Sequence, residues 1–301
     1  MRGSPFVLAL TAAAAAAAIA IAEPVAAQRP EPARPDPTRS DTTRSGTIQL
    51  QPHRAVYDFK LGTVRSDKGI SGLSGRMVYE FNGSPCEGYS QSMRFVTRTT
   101  ASGGESSVSD QRSTTWEDDT GMNYKFQSSQ YRDQKLAEQA AGTAKRGDGE
   151  EDIKIDLTHP DARRTAIGGG AMFPVQHSIK LIEAARRGRT QFSADFFDGS
   201  EGGEKTYVVN AQIGKAVPSS FNKSLPRIGQ SDKLDGVTGW PVTLSYYEHG
   251  SDNKDAIPVY EMSFAFFAHG VSRRLVIDNG DYTMRGELTE FTLLDPLPCR
   301  K

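Results

Sequence analysis

The sequence predicts a mostly β, antiparallel fold that curls toward a barrel or a sandwich and carries one amphipathic helix. Three features predict it. Apolar side chains recur at every second position in segment after segment, Gly-containing turn steps separate many of those segments, and one stretch switches to a helical period.

The strands follow in order. Ala55, Tyr57, Phe59 and Leu61 point one way, with Asp58 and Lys60 opposite. Met77, Tyr79 and Phe81 alternate with Arg76 and Glu80, and Met93 and Phe95 come next. Met122, Tyr124 and Phe126 form a further face, then Ile153, Ile155 and Leu157. Phe192, Ala194 and Phe196 precede a turn, and Tyr207, Val209, Ala211 and Ile213 follow it. Val242, Leu244 and Tyr246 come before the richest face, Tyr260, Met262, Phe264 and Phe266. Leu275 and Ile277, then Tyr282 and Met284, flank Asn279-Gly280, and Phe291 and Leu293 lie near the end. At least ten strands result. Asn279-Gly280 reads as a type I′ hairpin turn, because both residues accept positive φ, and Asn82-Gly83, Asp198-Gly199 and His269-Gly270 mark similar turns. Consecutive hairpins make a meander, and so many one-faced strands must curl.

The helix is read over 173–188. Pro174 suits its first position and Gly188 the residue past its end, while Val175, Ile179 and Ile182 make one apolar stripe. A single such helix plugs or covers the sheet. Residues 132–150, rich in Gln, Ala, Lys and Glu, read equally as a short helix or a loop, and 215–237 reads as a long connection.

Residues 1–27 read as a secretory signal peptide. Arg2 starts it, 5–22 is a charge-free apolar run, and Val25-Ala26-Ala27 fits a cleavage site that puts the mature start near Gln28. The run is marginal for a membrane anchor and mostly Ala. Residues 28–47 hold four prolines, mixed charges and no large apolar side chain, the composition of a disordered tether. Residues 48–301 are read as one β-rich domain. Export places that domain in the periplasm of a Gram-negative-type envelope, an oxidising compartment in which Cys86 and Cys299 pair; two free buried thiols are the alternative.

The chemistry-bearing motifs are weak. Thirty-six basic and 37 acidic residues give a net charge of −1 without a like-charged block, which excludes a nucleic-acid footprint. Gly199 to Thr206 nearly matches a phosphate-binding loop, but Glu204 replaces its glycine and a strand follows, so no nucleotide is expected. Ser220-Phe221-Asn222-Lys223 and Ser251-Asp252-Asn253 lack the third element of the serine penicillin-binding enzymes. The five histidines have no metal-ligand spacing, and His177 is expected in a solvated or capping role. Glu117-Asp118-Asp119 is expected to form a solvated face. No catalytic residue, metal or cofactor is assigned.

As a set, other segments carry a resemblance. His53-Arg54-Ala55-Val56-Tyr57-Asp58, Gly75 to Phe81 leading to Cys86-Glu87-Gly88-Tyr89, and Phe173-Pro174 with His177 come first. Asp198-Gly199-Ser200, Trp240-Pro241-Val242, Pro258 to Met262 and Gly270-Val271-Ser272-Arg273 follow in order. Asp278 with Gly280-Asp281, Arg285-Gly286-Glu287-Leu288 and Pro298-Cys299 complete it. Over residues 50–299 the chain resembles the EipB family of periplasmic envelope-integrity proteins. The resemblance implies a large, spiral-like open β-barrel enclosing or plugged by the helix. It also implies a Cys86–Cys299 disulfide and a role in maintaining the envelope under stress, without a defined reaction.

Three functional classes remain. The leading one is a non-enzymatic protein that binds a lipid, an envelope glycolipid or a protein partner in an apolar interior made by Tyr260, Met262, Phe264 and Phe266 with Val175, Ile179 and Ile182. A packed core is the plainer reading of the same residues. The others are a hydrolase or transferase acting on envelope polymers, and a scaffold for periplasmic repeat-containing proteins.

Overall fold

The computed structural model describes residues 48–65, 69–147, 149, 151–218, 220–249 and 257–299. The signal peptide read at 1–27, the tether at 28–47 and the Ser251-Asp252-Asn253 segment lie outside the described residues. The strands are β1 (His53–Val64), β2 (Ile70–Ser84), β3 (Gly88–Ala101), β4 (Ser106–Glu117), β5 (Asn123–Arg132), β6 (Lys135–Lys145), β7 (Ile153–His159) and β8 (Arg163–Ile167). Helix α1 (Pro174–Arg186) follows, then β9 (Gln191–Phe196), β10 (Tyr207–Ile213), β11 (Gly239–Glu248), β12 (Tyr260–Phe267), β13 (Ser272–Asp278) and β14 (Tyr282–Leu293).

All fourteen strands pair in one sheet, in the order 8-7-6-5-4-3-2-1-14-13-12-11-10-9. Every strand pair is antiparallel. The chain starts in the middle, meanders out to β8, crosses through α1 to the opposite edge at β9, and meanders back until β14 lies against β1. The two edge strands do not pair with each other. Only Met172, after β8, makes a parallel bridge to Phe196 of β9. The sheet is therefore an open, curled barrel and not a sandwich.

One face is wet and the other dry, as alternation requires. Asp58–Arg76, Arg94–Asp110 and Arg112–Asp110 pair at 2.7, 2.8 and 2.7 Å on the outer face. The inner face of β1 (Ala55, Tyr57, Phe59) is fully buried with Phe291 and Leu288 of β14. β13 and β14 pair only from Leu275–Gly286 to Asp278–Thr283. Beyond that they part, and the 214–238 connection fills the gap: the Gln230 amide donates to the Phe291 carbonyl at 3.1 Å, and Leu234 is fully buried.

Four local expectations change. Residues 135–145 are strand β6, not a helix. Its inner positions Ala140 and Ala144 are buried, and Gly142 must be small because a Cβ there would lie 2.7 Å from the Asp156 carbonyl oxygen and 3.0 Å from the Phe126 ring. β4 and β8 have no apolar alternation to announce them. Asn82-Gly83 lies inside β2, and the turn comes at 85–87. In the loop 279–281 only Gly280 takes positive φ, so the connection is a three-residue loop and not a type I′ turn.

Helix α1 begins at Pro174 and is followed by Gly188 at φ +71°. Val175, Leu181, Ile182, Ala184 and Ala185 are buried in one cluster with Phe81 and Tyr89 of β2 and β3 and with inner residues of β9–β12. The helix thus plugs the concave side between the two arms of the sheet. Its N-terminus is capped from a distance: the Glu117 carboxylate, at the end of β4, accepts from the Val175 and Gln176 amides at 2.7 and 2.9 Å.

Candidate ligand cavity

The inner face changes character along the sheet. One row of cross-strand partners runs Met77, Phe95, Gln111, Gln130, Glu138 across β2–β6. A second row, Met262, Ile277, Met284, crosses β12–β14. Because the sheet curls, both rows line one cavity of about 380 Å³, together with Met93, Ser128, Tyr207 and Tyr260. Its volume lies at the lower end of the range of small-molecule sites. Four methionines supply flexible, polarisable walls that adapt to the shape of an apolar guest.

The connection between β9 and β10 forms the polar end, where Asp198, Ser200 and Glu201 enter the lining. Gly199 holds this turn against β5: it sits at φ +72°, and a Cβ there would lie 2.2 Å from the Phe126 ring. Asp198 is anchored by the Ser200 amide, which donates to its Oδ1 at 2.9 Å, and by Tyr124, whose hydroxyl donates to its carbonyl at 2.9 Å. Burial pushes the Asp198 carboxyl above the usual range, and the Ser200 hydrogen bonds offset only part of this. Glu201 feels burial too, but hydrogen bonds from Lys205 and Tyr207 outweigh it and hold its carboxyl below the usual range. Glu138 completes a set of three carboxylates, and the lining contains no Lys, Arg or His. Among the described residues no group of three or more His, Cys, Asp or Glu is placed to hold a metal ion.

The residues singled out in the sequence separate in space. Val175, Ile182 and Phe266 are buried in one packed cluster, with Ile179, Tyr260 and Phe264 against it. Only Tyr260 and Met262 of that set also reach the cavity, so the helix stripe is core and not cavity wall. Cys86 and Cys299 form a disulfide, Cα to Cα 5.6 Å, which ties the β2–β3 turn to the segment after β14. His177 is not solvated: it is buried between Phe192 and Phe196, its Nε2 has no hydrogen-bond partner, and burial lowers its pKa to about 4. Glu117 is likewise buried as the helix cap rather than part of a wet acidic face.

Comparison with known proteins adds to this geometry. The EipB-like family model matches residues 44–295. The chain belongs to the EipB-like family. The cell envelope integrity protein EipB of Brucella abortus (strain 2308) is 36% identical over 250 residues, covering 82% of this chain and 86% of the relative. The crystal structure of a beta-barrel-like protein of a domain of unknown function, also from Brucella abortus, superposes with a TM-score of 0.74 at 35% identity, covering 82% of this chain and all of that one. The EipB-like match spans every strand and the helix, and both rows of the cavity lie inside it. Among the described residues no helix is long and apolar enough to cross a membrane.

The sequence left the polar row unseen. Gln111 and Glu138 sit on strands without apolar alternation and Gln130 lies on β5 beyond its apolar half, so only the register of their neighbours turns them inward. The available signal was a run of polar residues between two strands that both pair as hairpins.

Proposed function

We propose that this EipB-like protein supports cell-envelope integrity from the periplasm, without catalysing a reaction, by holding an amphipathic lipid in the cavity between its two inner rows. The observation that carries the reading is the lining itself. Met77, Met93, Met262, Met284, Phe95 and Ile277 form an apolar wall, and Gln111, Ser128, Gln130, Asp198 and Glu201 face it. The polar wall is open to water, with Gln111 exposed and Ser128 and Gln130 half-exposed, and an amphipathic chain with a polar head fits both sides. The envelope role follows the relative's name, a cell envelope integrity protein.

The test is saturable binding of a fluorescent monoacylglycerol. Binding in the micromolar range is expected, and Met262→Trp, which fills the cavity from β12, should remove it while a far-UV spectrum and melting point show the protein folded. No saturable binding to well-folded wild-type protein refutes the lipid reading. A complex with a periplasmic repeat-containing protein, recovered in the same preparation, would then favour the scaffold role.

A further inference from the structure

Resting on that reading, we infer that the lipid's head is an uncharged, hydroxyl-rich group of the glycosyl class, and that phosphate, sulfate and carboxylate heads are rejected. The polar wall offers hydrogen-bonding groups that are open to water in the cavity: Gln111 is exposed, and Ser128, Gln130 and Glu138 are half-exposed. Within the described residues the side chains of Gln111, Ser128, Gln130 and Glu138 make no hydrogen bond and no ion pair, although all four line the cavity. The two amides and the hydroxyl donate and accept, and the carboxylate accepts only. Sugar hydroxyls, which also do both, satisfy such a set.

Charge narrows the choice. An anionic head would meet the Glu138 carboxylate with no basic side chain in the lining to receive it. Lys205, which pairs with Glu201 of the lining, is already committed, to Glu201 at 2.6 Å and to Glu248 at 3.1 Å. Like charges in a partly desolvated site repel, so an anionic head is disfavoured there. A cationic head fares worse than a neutral one. Glu201 is neutralised by Lys205 and engaged by the Tyr207 hydroxyl, and burial biases Asp198 toward its protonated form. Only Glu138 remains to balance an ammonium ion, too little to repay its desolvation.

The experiment titrates the exported chain by calorimetry, below the micellar concentration, with three single-chain amphiphiles of one chain length: an alkyl maltoside, an alkyl phosphate and an alkyltrimethylammonium. The maltoside should bind more than roughly tenfold tighter than the phosphate. Gln111→Leu and Gln130→Leu should each weaken the maltoside severalfold and leave the trimethylammonium unchanged, a readout that general loss of fold would not give. Equal or tighter binding of the phosphate overturns the headgroup assignment and leaves the cavity reading standing. So does tightest binding of the ammonium, which would assign a cationic head instead. Binding of none of the three overturns both.

Discussion

Replacing Glu117 by Gln should change how stability depends on pH, because its carboxyl caps α1 from inside the protein. Two amides, of Val175 and Gln176, donate to it, Asp118 stands beside it, and Arg146 lies near, stacked on Phe173. Burial raises the carboxyl to about 7, against backbone hydrogen bonds and Arg146, which pull it down, while Asp118 pushes it further up. The folded protein therefore holds a proton that the unfolded chain releases near pH 4.5. Between those values the folded state binds more protons, so raising the pH favours unfolding. At ~1.4 kcal/mol per decade of proton affinity, the gap amounts to roughly 3 kcal/mol. His177 and His269 act in the opposite direction. Burial lowers both to about 4, so the unfolded chain binds protons they refuse, and stability rises with pH up to the ordinary histidine value of 6.5. The wild-type slope sums these opposing trends and is not diagnostic. The difference between wild type and Glu117→Gln is, since the histidines cancel. Urea unfolding followed by the fluorescence of Trp116 and Trp240 should show the gap moving in the variant's favour by roughly 3 kcal/mol from pH 4.5 to about pH 8. A gap that stays constant over this range refutes a protonated cap.

The disulfide spans a sequence separation of 213, for which loop entropy gives about 5 kcal/mol as an upper figure. Cys86→Ser, Cys299→Ser and the double variant should lose the same stability, and reductant should bring the wild type to their level. Two titratable thiols in oxidised, denatured protein would contradict the bond. Gly199→Ala should cost ~1 kcal/mol for its left-handed backbone and roughly 1–3 kcal/mol more for the clash with Phe126. Gly104, at φ +90° with nothing within 4 Å of a Cβ, is the control that carries the backbone cost alone. Equal losses at the two sites, measured by denaturant midpoints, would show that the turn does not press on β5.

Much of the fold was legible because most strands divide water from core. β7, β10 and the first half of β5 show alternating burial that mirrors their alternating hydropathy, and β1 and β9 show it in part. β14 appeared in two pieces, because a bulge opposite Val56 and Tyr57 breaks its period. The strands that escaped notice are those whose inner face is not apolar. β4 turns Gln111 and Ser113 inward, β6 turns Glu138 and alanines inward, and β8 is a short edge strand guarded by Arg163 and Arg164. The candidate site was half legible for the same reason. Tyr260 and Met262 announced an interior, but the wall that distinguishes a cavity from a core is made of residues that read as loop.

The pairing of β1 with β14 sets the order in which this protein can be made. The first strand pairs early with β2, but it finds its second partner only when residues 282–293 exist and are free, nearly the whole domain later. A nascent chain halted anywhere before that has two separate meanders and a seam with nothing to join it. The middle of the sheet is thus the last part to form, and its contacts are among the most distant in sequence, which slows folding. A chain built this way stays unfinished, and threadable, until its end is released. It is also unusually exposed to frameshifts and stop codons before β14, since losing residues 282–293 removes not an edge but the keel.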